Sequence, residues 1–209
     1  MQYSYVAIEG NIGSGKTTLA KMLSSDLDIK LILESFAENP FLPKFYDSPD
    51  KHAFPLELFF MAERYHQLKK LKEKDLFQPQ MISDYFFVKS KLFALNNLKY
   101  DEMQLFNRLY DIMSHSLSKP DLLVYLYADI ERLQENIKLR GRYFEQKISD
   151  IYLQNIQDRY LDYLRKQADF PVLILNVTNV DFTSDKLIFE KIKSYLIKKY
   201  NQGIYQYEL

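Results

Sequence analysis

The sequence predicts an α/β protein in which helices cover both faces of a parallel sheet. Along the 209 residues, short apolar runs rich in β-branched and aromatic residues alternate with longer stretches of helical periodicity. This alternation favours parallel strands that are joined by helical crossovers. A glycine-rich segment also lies between the first short run and the first helical stretch. We therefore expect a three-layer sandwich whose functional site lies at the edge of the sheet.

Five apolar runs are predicted as strands, at residues 3–8, 29–33, 80–83, 121–127 and 171–176. Helical periodicity runs through Leu19, Met22, Leu23 and Leu27, and again over residues 51–72, 86–98, 101–116, 130–139, 149–167 and 187–196. The tail at 201–209 is expected on the surface or at a subunit contact. With the strand order 2-3-1-4-5, the first strand would lie at the centre of the sheet.

Composition excludes several classes of protein. Lys plus Arg and Asp plus Glu both number 28, so the formal net charge is zero and the chain lacks the basic footprint of a nucleic-acid-binding protein. There is no cysteine, which excludes disulfides and thiolate chemistry, and the three histidines are scattered. No apolar stretch approaches the length of a membrane span, and no secretory signal is apparent. We expect a cytoplasmic protein with a small-molecule partner.

The glycine-rich segment fits the pattern G-x-x-x-x-G-K-[ST], and it follows a predicted strand and opens a predicted helix. Its backbone N–H groups and the helix N-terminus would cradle the phosphates of ATP or GTP. Lys16 would reach the β- and γ-phosphates, and the Thr17 hydroxyl would ligate Mg²⁺. The predicted nucleotide-binding residues are Gly10, Asn11, Ile12, Gly13, Ser14, Gly15, Lys16, Thr17 and Thr18.

Two acidic residues follow predicted strands at the carboxyl edge of the sheet, where ligands bind in open α/β folds. Glu34 closes the second strand and Asp84 follows the third. In the predicted strand order, Asp84 lies beside the phosphate loop and suits Mg²⁺, whereas Glu34 lies farther out and suits an acceptor hydroxyl. Acids at strand ends also cap helices, so either residue alone is ambiguous.

Several further segments together resemble the deoxynucleoside kinase family over nearly the whole chain. Residues 39–64 look like the acceptor-site region of that family, and residues 138–145 (KLRGRYFE) look like its lid. Residues 176–182 resemble the loop that contacts the donor base. The resemblance implies a single domain over residues 1–209, with a lid at about 139–148, and a homodimer.

The resemblance also implies roles for individual residues. Glu34 matches the acid that contacts the 5′-hydroxyl and is the expected general base. Tyr46 and the lid residue Glu145 match the residues that contact the 3′-hydroxyl of the sugar. Glu57 stands where the family usually has a base-reading glutamine, and Arg64 matches an arginine near the base edge. Arg140 and Arg142 match lid arginines that clamp the transferring phosphate and the donor.

The chain departs from the family after the third strand. Many members carry Glu-Arg-Ser there, whereas this chain has Ser83-Asp84-Tyr85. Asp84 can replace the glutamate, but the arginine is absent. Lys89, in the following helix, is a candidate for the missing positive charge, and a solvated lysine is the alternative. The substitution also leaves open whether Glu34 or Asp84 is the base; we favour Glu34 because Mg²⁺ should occupy Asp84.

The carboxylates expected on the acceptor side favour a neutral nucleoside over a nucleotide, because three of them would repel a monophosphate. A thymidylate-type kinase and a non-catalytic nucleotide-binding subunit of the same fold are the alternative functions. An ionised Glu57 accepts hydrogen bonds only, which disfavours thymine and permits adenine or guanine. The branch that the chain resembles favours deoxyadenosine first and deoxyguanosine second.

Overall fold

A parallel sheet forms the centre of the molecule. The computed structural model describes residues 2–35, 39–70 and 80–209. Within these residues the sheet has six strands in the order β2-β3-β1-β4-β5-β6, which confirms the predicted order of the first five. Every neighbouring pair of strands is parallel. The strands are β1 (Tyr5–Gly10), β2 (Lys30–Ile32), β3 (Met81–Ser83), β4 (Leu122–Tyr127), β5 (Val172–Asn176) and β6 (Ile204–Glu208).

Helices connect the strands and cover both faces of the sheet. They are α1 (Lys16–Leu27), α2 (Leu42–Asp47), α3 (Pro49–Lys69), α4 (Val88–Asn97), α5 (Tyr100–Ser114), α6 (Ile130–Arg140), α7 (Asp150–Lys166) and α8 (Lys186–Ile197). A single 3₁₀ turn, Glu145–Lys147, lies between α6 and α7. The short helix α2 was not predicted, because six residues are too few to show a helical period. The helix predicted over residues 51–72 corresponds to α3, and its predicted end at residue 72 lies outside the described residues.

The predicted count of five strands was wrong, because part of the tail forms the sixth. Residues 204–208 pair with β5 at the edge of the sheet. Their side chains alternate between exposed and half-buried, so this strand has none of the continuous apolar character of the central ones. Tyr207 stacks on Tyr195 of α8, with ring centroids 4.2 Å apart. The strand is therefore fixed by one aromatic face and by its hydrogen bonds to β5.

Two apolar layers flank the sheet. The layer against α1, α6 and α8 contains Leu19, Leu133 and Ile192, all fully buried. The layer on the other face packs against α3, α4, α5 and α7 and is rich in aromatic residues, with Phe106 and Tyr160 at its centre. These layers enclose β1, which is buried along its whole length in the middle of the sheet, and the loop follows directly from this buried strand. Among the residues described, no helix combines the length and the apolar character that a membrane crossing requires.

We predict that deletion of residues 204–209 destabilises the fold. The deletion removes the ladder to β5 and the contact between Tyr207 and Tyr195, so the free energy of unfolding should fall by at least about 2 kcal/mol. Urea denaturation followed by circular dichroism measures the change. An unaltered midpoint would mean that β6 contributes nothing to stability.

Candidate active site

The loop after β1 has the conformation that the motif predicts. Gly13 and Gly15 adopt positive φ angles of 86° and 89°. A Cβ atom on Gly13 would lie 2.7 Å from the carbonyl oxygen of Leu133, and one on Gly15 would lie 2.8 Å from the ring of Phe182. Larger residues at these two positions would therefore force the loop away from α6 and from the segment after β5.

Two asparagines anchor the loop to neighbouring helices. Asn11 donates from Nδ2 to the carbonyl oxygen of Leu153 in α7 at 2.8 Å. Asn136 of α6 donates to the carbonyl oxygen of Gly13, also at 2.8 Å. Both anchors hold the loop at the start of α1, where the helix N-terminus would favour the phosphates of a bound nucleotide.

Lys16 lies inside this loop, where its ammonium group donates to the carbonyl oxygen of Asn11 at 2.6 Å. Burial is the largest influence on the pKa of Lys16 and lowers it, and the positive charge of Lys89 acts in the same direction. A bound phosphate would reverse this effect by supplying negative charge. Lys16 is therefore placed to gain a full charge together with its ligand.

A hydroxyl and a carboxylate meet beside the loop, as the strand order predicts. The Thr17 hydroxyl donates to Oδ2 of Asp84, and Oδ1 of Asp84 accepts from the backbone N–H of Glu34 at 2.8 Å. A Thr hydroxyl next to a carboxylate is the oxygen donor set that Mg²⁺ shares with phosphates in P-loop proteins. Within residues 2–35, 39–70 and 80–209, no three His, Cys, Asp or Glu side chains form a metal cage.

Glu34 is held between two cations. Arg64 donates to its Oε1 from Nε at 2.8 Å and from Nη2 at 2.5 Å. Lys89 donates to Oε2 at 2.6 Å. Burial alone would raise the pKa of Glu34, but Lys89 and Arg64 outweigh it and hold that pKa well below its ordinary value. Glu34 is therefore ionised near neutral pH.

Lys89 is the buried partner of Glu34 and not a solvated lysine, since only 7% of it is exposed. It supplies positive charge close to the point where many family members carry the arginine of Glu-Arg-Ser. The resemblance associates Arg64 with the base edge. In the structure, its guanidinium donates to Glu34 and, from Nη1 at 2.9 Å, to the Ser90 hydroxyl. Both cations are thus paired with the Glu34 carboxylate.

A cavity of about 100 Å³ opens between α2, α3, α4 and the lid, and it contains all the predicted acceptor residues: Glu34, Tyr46, Glu57, Arg64 and Glu145. At its inner end lies Glu57, which is 1% exposed. Its Oε1 accepts from Nδ2 of Asn97 at 2.7 Å, and its Oε2 is buried without a hydrogen-bond partner. Burial raises the pKa of Glu57 to about 7.

The lid arginines meet one carboxylate. Glu145 accepts from Arg140, and it accepts from Nη1 of Arg142 at 3.0 Å. Tyr46 of α2 stacks on Phe144 of the lid with nearly parallel rings 6.3 Å apart. The lid is tied to α2 a second time by the ion pair of Lys147 with Asp47.

A second cavity, of about 480 Å³, lies on the other side of the phosphate loop between the loop, α6 and the segment after β5. Thr18 and Arg132 line this second cavity and not the first. The residues shared by both cavities are Lys16, Thr17, Arg140 and Arg142. The two spaces therefore meet where the sequence predicts the transferring phosphate.

Sequence reasoning missed three polar residues on the acceptor side of the site. Ser90 binds Arg64, Asn97 binds Glu57, and Tyr152 lines the acceptor cavity from α7. Asn97 lies at the last turn of α4 and is distant in sequence from Glu57, so no local motif marks the pair. A polar residue on an otherwise apolar helical face is the one signal that could have found Ser90.

Two cavities that meet at a phosphate loop are what phosphoryl transfer requires, because donor and acceptor have to reach one phosphorus atom from opposite sides. The fold and the site thus define a P-loop phosphotransferase that acts on a small molecule. The family model of the deoxynucleoside kinases matches residues 6–200, and the chain belongs to that family. It is an ATP-dependent deoxynucleoside kinase.

Relatives of known name agree with this assignment. A deoxyguanosine kinase of Bacillus subtilis is 36% identical over 92% of this chain and 95% of its own length. A deoxyadenosine/deoxycytidine kinase of the same organism is 29% identical over 90% of this chain and 89% of its own. The structure of a deoxyadenosine kinase from M. mycoides with dCMP and dCDP matches with a TM-score of 0.78 and 26% identity, covering 92% of this chain and 98% of that one.

The pairing of Lys89 with Glu34 predicts an altered pH dependence in the variant Lys89→Met. A folded-state pKa below the ordinary value keeps Glu34 ionised until the pH falls through that low value, so the parent should show no acid loss of activity from Glu34 near neutrality. Removing one of its two cations raises the pKa of Glu34, so an acid loss of kcat/KM due to Glu34, which the parent lacks, should appear in Lys89→Met.

Lys91→Met is the matched control, since the Lys91 ammonium lies over the Tyr110 ring, 5.2 Å from its centroid, and does not line the acceptor cavity. Profiles of kcat/KM against pH measure the difference. A Lys89→Met profile that coincides with the parent's down to the lowest pH at which both proteins stay folded would contradict the prediction.

Proposed function

We propose that the enzyme transfers the γ-phosphoryl group of ATP to the 5′-hydroxyl of a purine 2′-deoxynucleoside. The observation that carries this proposal is the buried, unpartnered Oε2 of Glu57 at the inner end of the acceptor cavity. A buried acceptor without a partner has a free-energy cost that a donor on the ligand would relieve. Guanine offers the adjacent N1–H and N2–H₂ donors and adenine offers the donor of its N6 amino group, whereas thymine has a single N–H between two carbonyl groups.

Charge supports a nucleoside over a nucleotide as the acceptor. Glu34, Glu57 and Glu145 line the cavity, and four of its cations, Arg64, Lys89, Arg140 and Arg142, donate to carboxylates. A 5′-monophosphate would have to enter beside Glu34, whose negative charge is fixed. Hydroxyl groups, by contrast, can donate to these carboxylates.

In the proposed mechanism, Glu34 accepts a hydrogen bond from the 5′-hydroxyl and takes its proton as the oxygen attacks. Arg64 and Lys89 hold the carboxylate in one orientation and keep it ionised before the reaction. Lys16 and the backbone of residues 10–17 hold the phosphates of ATP. Thr17 and Asp84 would hold Mg²⁺, which neutralises charge on the phosphate oxygens when bound.

The lid completes the proposed mechanism. Arg140 and Arg142 line both cavities, so either guanidinium can turn from Glu145 to the charge that develops on the transferring phosphoryl group. Glu145 and Tyr46 are proposed to contact the 3′-hydroxyl of the sugar, as in the family that the sequence resembles. Binding of both substrates would then replace the contacts between the lid arginines and Glu145 by contacts of the arginines with the phosphoryl group and of Glu145 with the 3′-hydroxyl.

A homodimer and a cytoplasmic location are part of the same proposal. Leu95, Leu105 and Ile112 are large apolar side chains of α4 and α5 that are at least 40% exposed, and they supply surface for a contact between two copies.

A panel of acceptors tests the proposed substrate. With ATP and Mg²⁺, we expect deoxyadenosine and deoxyguanosine to be phosphorylated with kcat/KM values at least about tenfold above those of thymidine, adenosine and dAMP. Product formation is measured for each compound under identical conditions. Preferential phosphorylation of dAMP or dTMP would overturn the argument from charge and would indicate a nucleotide kinase.

Two variants separate the roles of the acidic residues. Glu34→Gln removes the proposed proton acceptor and should lower kcat by about 10²- to 10⁴-fold with little change in ATP affinity. Asp84→Asn should instead raise the Mg²⁺ concentration that gives half-maximal activity. Near-parental turnover of Glu34→Gln together with a large loss of kcat in Asp84→Asn at saturating Mg²⁺ would assign the proton acceptor to Asp84.

A further inference from the structure

The contact between Glu57 and Asn97 fixes which carboxylate oxygen of Glu57 meets the ligand. Asn97 donates from Nδ2 to Oε1 at 2.7 Å, and its own Oδ1 accepts from Nδ2 of Asn96 at 3.1 Å. The amide is thereby held with its N–H toward Glu57. If Glu57 takes up a proton, Oε1 has to remain the acceptor, so the proton resides on Oε2, the buried oxygen without a partner.

The charges around Glu57 are balanced closely enough for both forms to exist near neutrality. Burial opposes ionisation and raises the pKa of Glu57 to about 7. The attraction of Arg64, the hydrogen bond from Asn97 and the charge of Lys89 act in the opposite direction and lower that pKa. Glu34 acts with burial, but it is itself bound to Arg64 and Lys89.

The remaining groups that face Glu57 add no free charge. Burial raises the pKa of Tyr46 of α2 and of Tyr152 of α7, so both phenols are neutral. The charged lid residues across the cavity, Glu145, Arg140 and Arg142, are paired with one another.

The two forms of Glu57 present different patterns to a base. The carboxylate offers two adjacent acceptors, which match the adjacent N1–H and N2–H donors of guanine. The protonated form offers a donor at Oε2 and an acceptor at Oε1. That pattern matches the N1 acceptor and N6–H donor of adenine and the N3 acceptor and N4–H donor of cytosine.

We propose that Glu57 and Asn97 together determine base specificity, selecting guanine when Glu57 is ionised and adenine or cytosine when Glu57 carries a proton. Asn97 acts as a positioning residue that directs the proton to Oε2. This inference rests on the proposed function, since it concerns the acceptor of the same reaction. It predicts an enzyme whose choice of substrate shifts with pH in the neutral range.

The test measures kcat/KM for deoxyguanosine, deoxyadenosine and deoxycytidine with ATP and Mg²⁺ from about pH 6 to about pH 8, where each base is predominantly in its neutral form. Effects of pH on the catalytic groups that are common to all three acceptors cancel in the ratio of two kcat/KM values. The ratio of deoxyguanosine to deoxyadenosine should rise by about 10- to 100-fold across this range, as expected for one mispaired buried group. A constant ratio would overturn the proposal.

Three variants sharpen the test. Glu57→Gln imitates the protonated form, so its ratio should be independent of pH and shifted toward deoxyadenosine and deoxycytidine. Asn97→Ala removes a hydrogen bond that lowers the pKa of Glu57, so the midpoint of the parent's transition should move to higher pH. Glu63→Gln changes a carboxylate on the same helix outside the cavity and should reproduce the parent's profile.

Calorimetry provides a readout that is independent of catalysis. Binding of deoxyguanosine below pH 7 should release a proton, and binding of deoxyadenosine above pH 7 should take one up, as shown by heats in buffers of different ionisation enthalpy. Glu57→Gln should abolish both exchanges, and their persistence in that variant would refute the role of Glu57. If no deoxynucleoside is phosphorylated at any pH, the proposed function fails, whereas phosphorylation with a constant ratio overturns this inference alone.

Discussion

The ionic contact of Glu34 with Arg64 and Lys89 is the interaction on which the acceptor side of the site depends. A buried carboxylate is stable only when it is paired, and here each of its oxygens meets a different cation. The two cations come from α3 and α4, while Glu34 follows β2, so the contact joins three elements that are distant in sequence. It also neutralises the positive charge of Arg64 and Lys89, which would otherwise attract a phosphate into the cavity. Structural stability and the choice of a neutral acceptor are thus consequences of one cluster.

The strand order gives this cluster its position. β3 lies between β2 and β1, so Asp84 reaches both the Thr17 hydroxyl on one side and the backbone of Glu34 on the other. A carboxylate at this point links the phosphate loop to the acceptor cavity through two hydrogen bonds. A second buried acid supports the same region, because Glu9 of β1 accepts from the backbone N–H of Phe86 at 2.6 Å and from the Tyr160 hydroxyl at 2.8 Å. The segment after β3 is consequently held at both ends.

The sequence predicted those features whose signal is local. The glycine motif and the alternation of strands and helices follow from residues close together in the chain, and the structure has both. The order of the first five strands was predicted from the P-loop fold that the motif indicates, and the structure confirms it. The sixth strand escaped prediction because an edge strand with one polar face lacks a continuous apolar run. The partners of the charged groups escaped for a different reason. That Lys89 pairs with Glu34, that Arg64 is bound to Ser90, and that Asn97 holds Glu57 are all properties of tertiary packing, which no spacing along the chain encodes.

The lid carboxylate Glu145 has a consequence for the enzyme in the absence of an acceptor. Both lid arginines donate to it, so their positive charge is already neutralised within the lid. An ATP molecule that binds alone would meet these neutralised arginines, and a water molecule in place of the nucleoside would supply no sugar hydroxyl to compete for Glu145. The arginine charge that would stabilise the transition state would then remain paired with Glu145, so hydrolysis of ATP by water would remain slow. In the proposed mechanism, a single carboxylate in the lid would thereby make consumption of ATP depend on the arrival of the acceptor.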